Sequence, residues 1–333
     1  MRHLPHARQP DRRRFLLSLV AGLGSAWLPG LAAAQTFPSR PVRIVVPFAA
    51  GGPTDLMARA IGRAMSEGLG QPVLVDNKPG GGGVIGLGEV TKNPADGHTL
   101  VFPSILAVTN PALMPNYPFD MLRDFAPVTV VGYIPHALVV RPDFPVKTLA
   151  ELVDMARQKP DSLSYGSSGN GTSAHLAGAM FAERAGFRAL HVPYRGAGPA
   201  MQDLLGGQIH FMFLDMSSAL GQIKAGKLRA LAIAPARRFG GLPDLPTIAE
   251  GGYAGFDIRA WYGLLVRAGT PDAVVQRLYA ETRRALESAE VRDTFRLQGI
   301  EPGGMAPAEF GALIRDDLVH WKRTVERLKI TQQ

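Results

Sequence analysis

The densest run of groups able to do chemistry is Ser167-Ser168-Gly169-Asn170-Gly171-Thr172-Ser173, with His175 just beyond it. Hydroxyls and an amide alternate there with glycines, which let backbone N–H groups approach a bound molecule. Such a loop suits an anion, above all where it runs into a helix N-terminus. A hydrolase would need one serine as nucleophile, yet none stands in G-x-S-x-G. Ser168 has Gly166 two residues before it but Asn170 two after. His175 is within a helical turn of the serines, where packing or capping is the more common role.

Other loops offer weaker signals. Phe48-Ala49-Ala50-Gly51-Gly52-Pro53-Thr54-Asp55 reads equally as a ligand loop, with Gly52 exposing its N–H and Thr54 its hydroxyl, or as a plain turn with a helix cap. Gly81, Gly83 and Gly86 match G-x-G-x-x-G, but they follow the second strand rather than the first. Asp76-Asn77-Lys78-Pro79 intervenes, and no acidic residue stands about 20 positions on, so a dinucleotide site is not expected. Ser104 follows a short strand. Tyr194 and Arg195 lie between a strand and a helix; Arg195 could pair a carboxylate but fits a solvated arginine slightly better. Asp215 could accept from a hydroxyl or an ammonium, or simply cap the next helix. The histidines are scattered, and neither a zinc-binding H-E-x-x-H nor a P-loop is present, so neither metal nor cofactor is expected.

These loops need elements to hold them. Strands are expected at 42–48, 72–75 and 99–102, with helices from Thr54 or Asp55 to Leu69 and from the Gly80–Gly83 loop to about Lys92. Two strand-like runs follow at 128–131 and 137–140. Helices at 149–158, 175–185 and 199–205 then alternate with strands at 163–166, 189–192, 209–213 and 228–233. A Gly- and Pro-rich loop spans 234–255, a last strand 261–266, and long helices 271–288 and 307–329. Repeated βαβ grammar of this kind means an α/β chain with parallel sheets. The expected architecture is two doubly wound lobes. The chain crosses outward near 128–140 and returns near 255–266, giving residues 35–135 with 259–333 as one lobe and 136–258 as the other.

The 333 residues suffice for two domains with sizeable cores. Net charge is +8, and five arginines against one aspartate in residues 1–34 supply half of it. No basic stripe of the kind nucleic acid would need follows. Cys is absent, which excludes disulfides and thiolate chemistry. Arg12-Arg13-Arg14-Phe15-Leu16, an apolar run to Leu31, and Ala32-Ala33-Ala34 form a charged, apolar and small-residue series. That is the pattern of an export signal cleaved near Ala34, by the twin-arginine or the general route. The apolar run is too short for a membrane span, which needs ~20 residues.

Taken in order, Pro41 to Asp55, Val75-Asp76-Asn77-Lys78-Pro79-Gly80, Asp96-Gly97-His98-Thr99-Leu100 and Tyr165 to Gly171 form a familiar series. His191-Val192-Pro193-Tyr194-Arg195-Gly196, Gly206-Gly207-Gln208, Lys224 to Ala232 and Trp261-Tyr262-Gly263-Leu264-Leu265 complete it. The series resembles the Bug family, the substrate-binding components of tripartite tricarboxylate transporters, over essentially all of the chain after the signal. The resemblance implies a type II periplasmic-binding fold that captures a small organic acid in an interlobe cleft, without catalysis and as a monomer. Its partners would be membrane transporter subunits or, as the alternative, a sensor kinase. It also implies ligand contacts at Gly52, Thr54, Ser167, Ser168, Asn170 and Thr172, with Ser104 and Tyr194 as further positions. One departure stands out. Many members place an aspartate directly after the strand ending at Phe213, whereas here Leu214 stands there and Asp215 comes one later. A one-residue slip turns a strand side chain to the other face, so a ligand without an amine is expected.

Overall fold

The computed structural model describes residues 37–330, and Arg40 onward forms one compact unit. The export signal read at 1–34 lies outside the described residues. Among the described residues ten strands form one curled sheet, in the order Val73–Asn77, Val42–Val46, Thr99–Val101, Arg259–Arg267, Phe125–Val140, Phe211–Asp215, Ser164–Ser167 and Leu190–Pro193, with Arg229–Ile233 and Glu301–Pro302 also paired to Phe125–Val140. The α/β class and the doubly wound arrangement expected from the sequence are both present.

In the first half, β1 (Val42–Val46) lies parallel to β2 (Val73–Asn77) and to β3 (Thr99–Val101). Helix α1 (Pro53–Leu69) follows β1, a tight turn Gly81–Gly83 and α2 (Val84–Thr91) follow β2, and α3 (Leu106–Leu113) follows β3. The second half repeats the pattern. Here β5 (Ser164–Ser167), β6 (Leu190–Pro193) and β7 (Phe211–Asp215) are parallel, with α5 (Ser173–Ala185) after β5, α6 (Ala197–Leu205) after β6 and α7 (Met216–Lys224) after β7. Helix α4 (Leu149–Gln158) precedes β5, and β8 spans Arg229–Ile233.

Burial on both faces explains the unbroken apolar runs of the inner strands. Alternate residues point to opposite sides. Leu138, Val140, Phe211 and Phe213 join one core with Phe181 and Phe256, while Ala137, Val139, Met212 and Leu214 join another with Leu204 and Met216.

The two halves share β4 (Phe125–Val140), which departs from expectation. The sequence reads as two short strands with Pro127 and Pro135 breaking the run; the molecule has one strand of 16 residues. Proline is tolerated because it sits where a ladder N–H is dispensable. The register slips just after Pro127, and Pro135 is the last β4 residue paired with β9 (Arg259–Arg267). From His136 onward β4 pairs with β7 and β8 instead. Three further elements escaped the sequence reading: α3, whose internal Pro111 masks a helical pattern, α9 (Ala289–Leu297) and β10 (Glu301–Pro302). The two long C-terminal helices are α8 (Asp272–Glu287) and α10 (Pro307–Leu328). Helix α8 packs on α1, where Thr282 contacts Met65, and α10 seats Phe310 edge-on against Trp261 at 5.2 Å. Among the described residues no helix is long and apolar enough to cross a membrane.

Candidate functional site

The candidate residues sit at the C-terminal ends of parallel strands, where α/β sheets hold ligands. After β1, Gly52 is the N-cap of α1 and Thr54 lies buried in its first turn. The shape of this loop is fixed by Asp55. Its carboxylate accepts from the Gly51 N–H at 3.0 Å and from Arg59 Nε at 3.0 Å. Burial works against the charge, but the Arg59, Gly51 and Asn77 hydrogen bonds outweigh it and hold the carboxyl below its usual pKa. Asn77, from the end of β2, donates to the Phe48 carbonyl at 3.1 Å. Asp55 and Asn77 are therefore scaffolding, and among the described residues no side chain caps the N-terminus of α1.

The glycine loop after β2 packs against the first loop. A Cβ at Gly86 would stand 2.7 Å from Pro47 Cβ and 2.9 Å from its Cα, so Gly86 serves close approach between the loops. Asn110 of α3, 3% exposed, donates to the Gly82 carbonyl at 2.8 Å. Its neighbour Thr109 turns the other way and donates to the Gly171 carbonyl, in the Ser-rich loop of the second half, at 3.4 Å. A side chain at Gly171 would collide with Leu113 of α3. Helix α3 thus gathers loops from both halves. Neither Thr109 nor Asn110 stood out in the sequence, because nothing local marks a buried polar pair on a helix as a clasp.

Within the Ser-rich loop the hydroxyls divide their work. Ser167 is fully buried. Its Oγ donates to the Gly169 carbonyl at 3.0 Å, accepts from the Gly169 N–H at 3.2 Å and meets His191 Nε2 at 2.7 Å. With the serine hydrogen directed at Gly169, the proton of this contact belongs to His191 Nε2. Thr172 caps α5: its Oγ1 accepts from the His175 N–H and donates to the Gly169 carbonyl at 2.8 Å. Ser168 and Asn170 are half-buried, and among the described residues neither side chain finds a hydrogen-bond partner. They are the groups of this loop left to meet a ligand.

Behind the loop lie two stacked imidazoles. His175 and His191 are 3.7 Å apart between ring centroids and only 4° from parallel. His175 Nδ1 accepts from the Gly171 N–H at 3.1 Å. Burial holds the His175 pKa down at about 4, and burial together with His175 holds His191 at about 3. Both rings are neutral near neutral pH, as parallel stacking requires. His175 is therefore a packing and loop-shaping residue.

The remaining candidates fall into two places. Tyr194 adjoins the Ser-rich loop through its N–H, which donates to the Ser167 carbonyl at 3.0 Å. Its hydroxyl donates to Asp203 at 2.7 Å, and burial with that carboxylate pushes the phenol up to about 12. Arg195 is exposed. Ser104 is bridged to Tyr262, whose buried phenol is raised in pKa by burial and by Asp215. Asp215 stands opposite His136 in the β4–β7 register, and His136 Nε2 meets Ser173 Oγ at 3.1 Å. Ser104, Tyr262, Asp215, His136 and Ser173 follow one another as a line of polar residues where the two halves meet, joined by one side-chain contact, between His136 and Ser173. Asp215 caps α7, accepting from the Ser218 N–H at 3.0 Å and from the Ser217 hydroxyl. Tyr262 and His136 gave no separable signal in the sequence, since both sit inside apolar strands. Among the described residues no group of three or more His, Asp or Glu is placed to hold a metal.

A family model described as "Tripartite tricarboxylate transporter family receptor" matches residues 57–330. The chain belongs to this receptor family. The receptor is 35% identical over 314 residues to protein BugT of Bordetella pertussis, covering 94% of this chain and 96% of that one. Among solved structures it is similar to the periplasmic binding protein BugD, at 34% identity and a TM-score of 0.78, covering 89% of this chain and all of that one. It is also similar to R. palustris Rpa4515 with adipate, at 34% identity and a TM-score of 0.80, covering 89% and 99%. A third is MatC of Rhodopseudomonas palustris with bound malate, at 33% identity and a TM-score of 0.76, covering 87% and 100%. The Bug resemblance and the periplasmic-binding fold read from the sequence are borne out.

Proposed function

We propose that the receptor is an exported solute-binding protein that closes on a small organic acid and delivers it, unchanged, to membrane transporter subunits. The observation that carries this reading is the Ser-rich loop, where unpartnered Ser168 and Asn170 side chains stand beside the N-terminus of α5, held to the first half through Thr109. Helix N-termini and free hydroxyl and amide donors suit a carboxylate. Adipate and malate, in the two related structures, are both dicarboxylates. The family's description as a transporter receptor favours transporter subunits over a sensor kinase.

In this reading residues 35–135 with 259–333 form one lobe and 136–258 the other, and export removes residues 1–34. Gly52, Thr54, Ser168 and Asn170 contact the acid. Ser167, Thr172 and Tyr194 shape the loop, and Ser104 and Asp215 belong to the polar line at the junction. The mechanism is hinge closure, with the bound acid joining loops from both lobes. The Thr109–Gly171 contact marks the closed form. Among the described residues Ser173 meets His136, and the Asp215 Oδ1 beside them is spent on capping α7.

The test is thermal unfolding of the purified receptor against a panel of mono-, di- and tricarboxylates and their uncharged analogues. A ligand at 100 times its Kd adds about 2.7 kcal/mol to folding. A shift confined to one carboxylate class, lost in Ser168→Ala/Asn170→Ala, is expected. A shift with uncharged analogues alone, or one that survives the double substitution, refutes the site. Recovery of the ligand unaltered after prolonged incubation is the expected outcome for a pure carrier.

A further inference from the structure

The edge of the second half carries a feature that the cleft does not use. Strand β8 pairs with β4 along one side, while its other side has only the single bridge from Ile233 to Thr247. Among the described residues no further strand covers that edge. Alongside it runs a cavity of about 860 Å³, walled by Leu149, Ile223, Leu228, Leu242 and Leu245. Cavities of about 300–1,000 Å³ with mainly apolar walls and few polar groups are typical of sites for small organic molecules.

Arg229 is the polar group that matters here. It lines the cavity and is half-buried. Its Nη1 donates to the carbonyls of Phe144 at 3.2 Å and Val146 at 2.9 Å. Among the described residues no carboxylate pairs with it. Other cations that are half-buried here have acids: Arg43 pairs with Asp76 and Glu89, and Arg141 with Asp143. A guanidinium drawn out of water and answered only by carbonyls is under-compensated, and a carboxylate supplies the charge-assisted bonds it lacks. Lys147 adds a second cation to the wall and Asp244 a single acid, leaving the cavity net positive.

We propose that this cavity is a second ligand site, separate from the interlobe cleft, for an amphipathic carboxylate whose head pairs with Arg229 and whose alkyl chain lies along the leucines. The free groups of the cleft loops are polar, whereas the walls of this cavity are mainly apolar, so the cavity suits an acid that carries an alkyl chain.

The experiment is isothermal titration of the receptor with butanoate, hexanoate, octanoate and octanol. Burial of each CH₂ contributes ~0.8 kcal/mol, so affinity should rise about fourfold per methylene through the acid series. Octanol should bind at least tenfold more weakly than octanoate. Arg229→Gln should weaken octanoate at least tenfold, and Ala230→Phe, which fills the cavity, should abolish binding. Ser168→Ala/Asn170→Ala should leave octanoate binding unchanged. A diazirine-bearing octanoate on the unsubstituted receptor provides a check independent of the variants, with label expected within residues 142–150 or 223–251. Absence of chain-length dependence, equal binding of octanol, or label confined to the cleft loops overturns the proposal. Loss of octanoate binding in the Ser168/Asn170 variant alone would likewise overturn it, while leaving the cleft reading intact.

Discussion

Lowering the pH from 7 to 5 should destabilise the receptor through the stacked imidazoles of His175 and His191. Both titrate near 6.5 in the unfolded chain, whereas the fold holds them at about 4 and about 3. Their contribution to stability is therefore complete above pH 6.5 and is lost as the pH falls toward the folded values. In that window the unfolded state binds protons that the native state refuses. Integrating from pH 7 to 5 gives about 1.9 kcal/mol for each ring, or about 4 kcal/mol for the pair. His320, half-buried His210 and buried His136 are shifted the same way. Asp317 acts in opposition. Burial raises its carboxyl to about 6, so it favours the native state by about 1 kcal/mol as the pH falls across the same range. A comparison with His175→Gln isolates the share of one ring of the pair. Urea unfolding of the ligand-free receptor at pH 7 and 5 gives the loss for each protein. The variant's loss should be smaller by about 2 kcal/mol, the share of the ring removed. If the two losses agree within about 0.5 kcal/mol, the histidines are not held neutral by burial and the account of the loop behind Ser167 fails.

Three other substitutions test the scaffolding. Gly86→Ala puts a Cβ against the Pro47 backbone, and overpacking of this sort costs about 1–3 kcal/mol; a lower urea midpoint together with weaker ligand affinity is expected, because the first loop must move. Asn110→Ala removes the donor to the Gly82 carbonyl, at a cost of about 1 kcal/mol, and hydrogen exchange should quicken at residues 80–83 while the second half stays protected. Asp215→Ala removes the cap of α7, which is worth about 1 kcal/mol; calorimetry should find carboxylate affinity kept or improved, whereas abolished binding would mean that the acid holds an ammonium of the ligand.

The elements legible in the sequence were those fixed by local pattern. The parallel strands and the glycine- and hydroxyl-rich loops follow from short-range chemistry, but the caps do not stand where the sequence placed them: α1 is capped at Gly52 rather than at Thr54 or Asp55, and α5 is capped at Thr172, ahead of the start read at His175. The series of short motifs sufficed to point to the family. What stayed hidden depends on distant partners. Pro127 and Pro135 argue locally against a long strand, and only the neighbouring strands, where a bulge and a change of partner occur, make β4 continuous. Pro111 hid α3 for a similar reason. Ser167 and Ser168 look alike in sequence. Only His191, 24 residues away in the chain, shows that one hydroxyl is already engaged while the other is free. Asp215 read equally as a cap or a ligand group; the structure establishes the cap and places the residue beside His136.

The register of β4 has a mechanical consequence. Pro135 and Arg259, where the chain leaves one lobe and returns to it under the proposed boundaries, are direct partners across two adjacent strands. For the proposed closure the hinge would then be a ribbon two strands wide, and a ribbon resists stretching and shear far more than it resists twist. Lobe motion about it would be torsion and slight bending, so a small change of angle there would be magnified into a wide displacement at the ligand loops. Because Pro135 has no N–H to give the ladder, the ribbon has its weakest rung where the twist must be taken up.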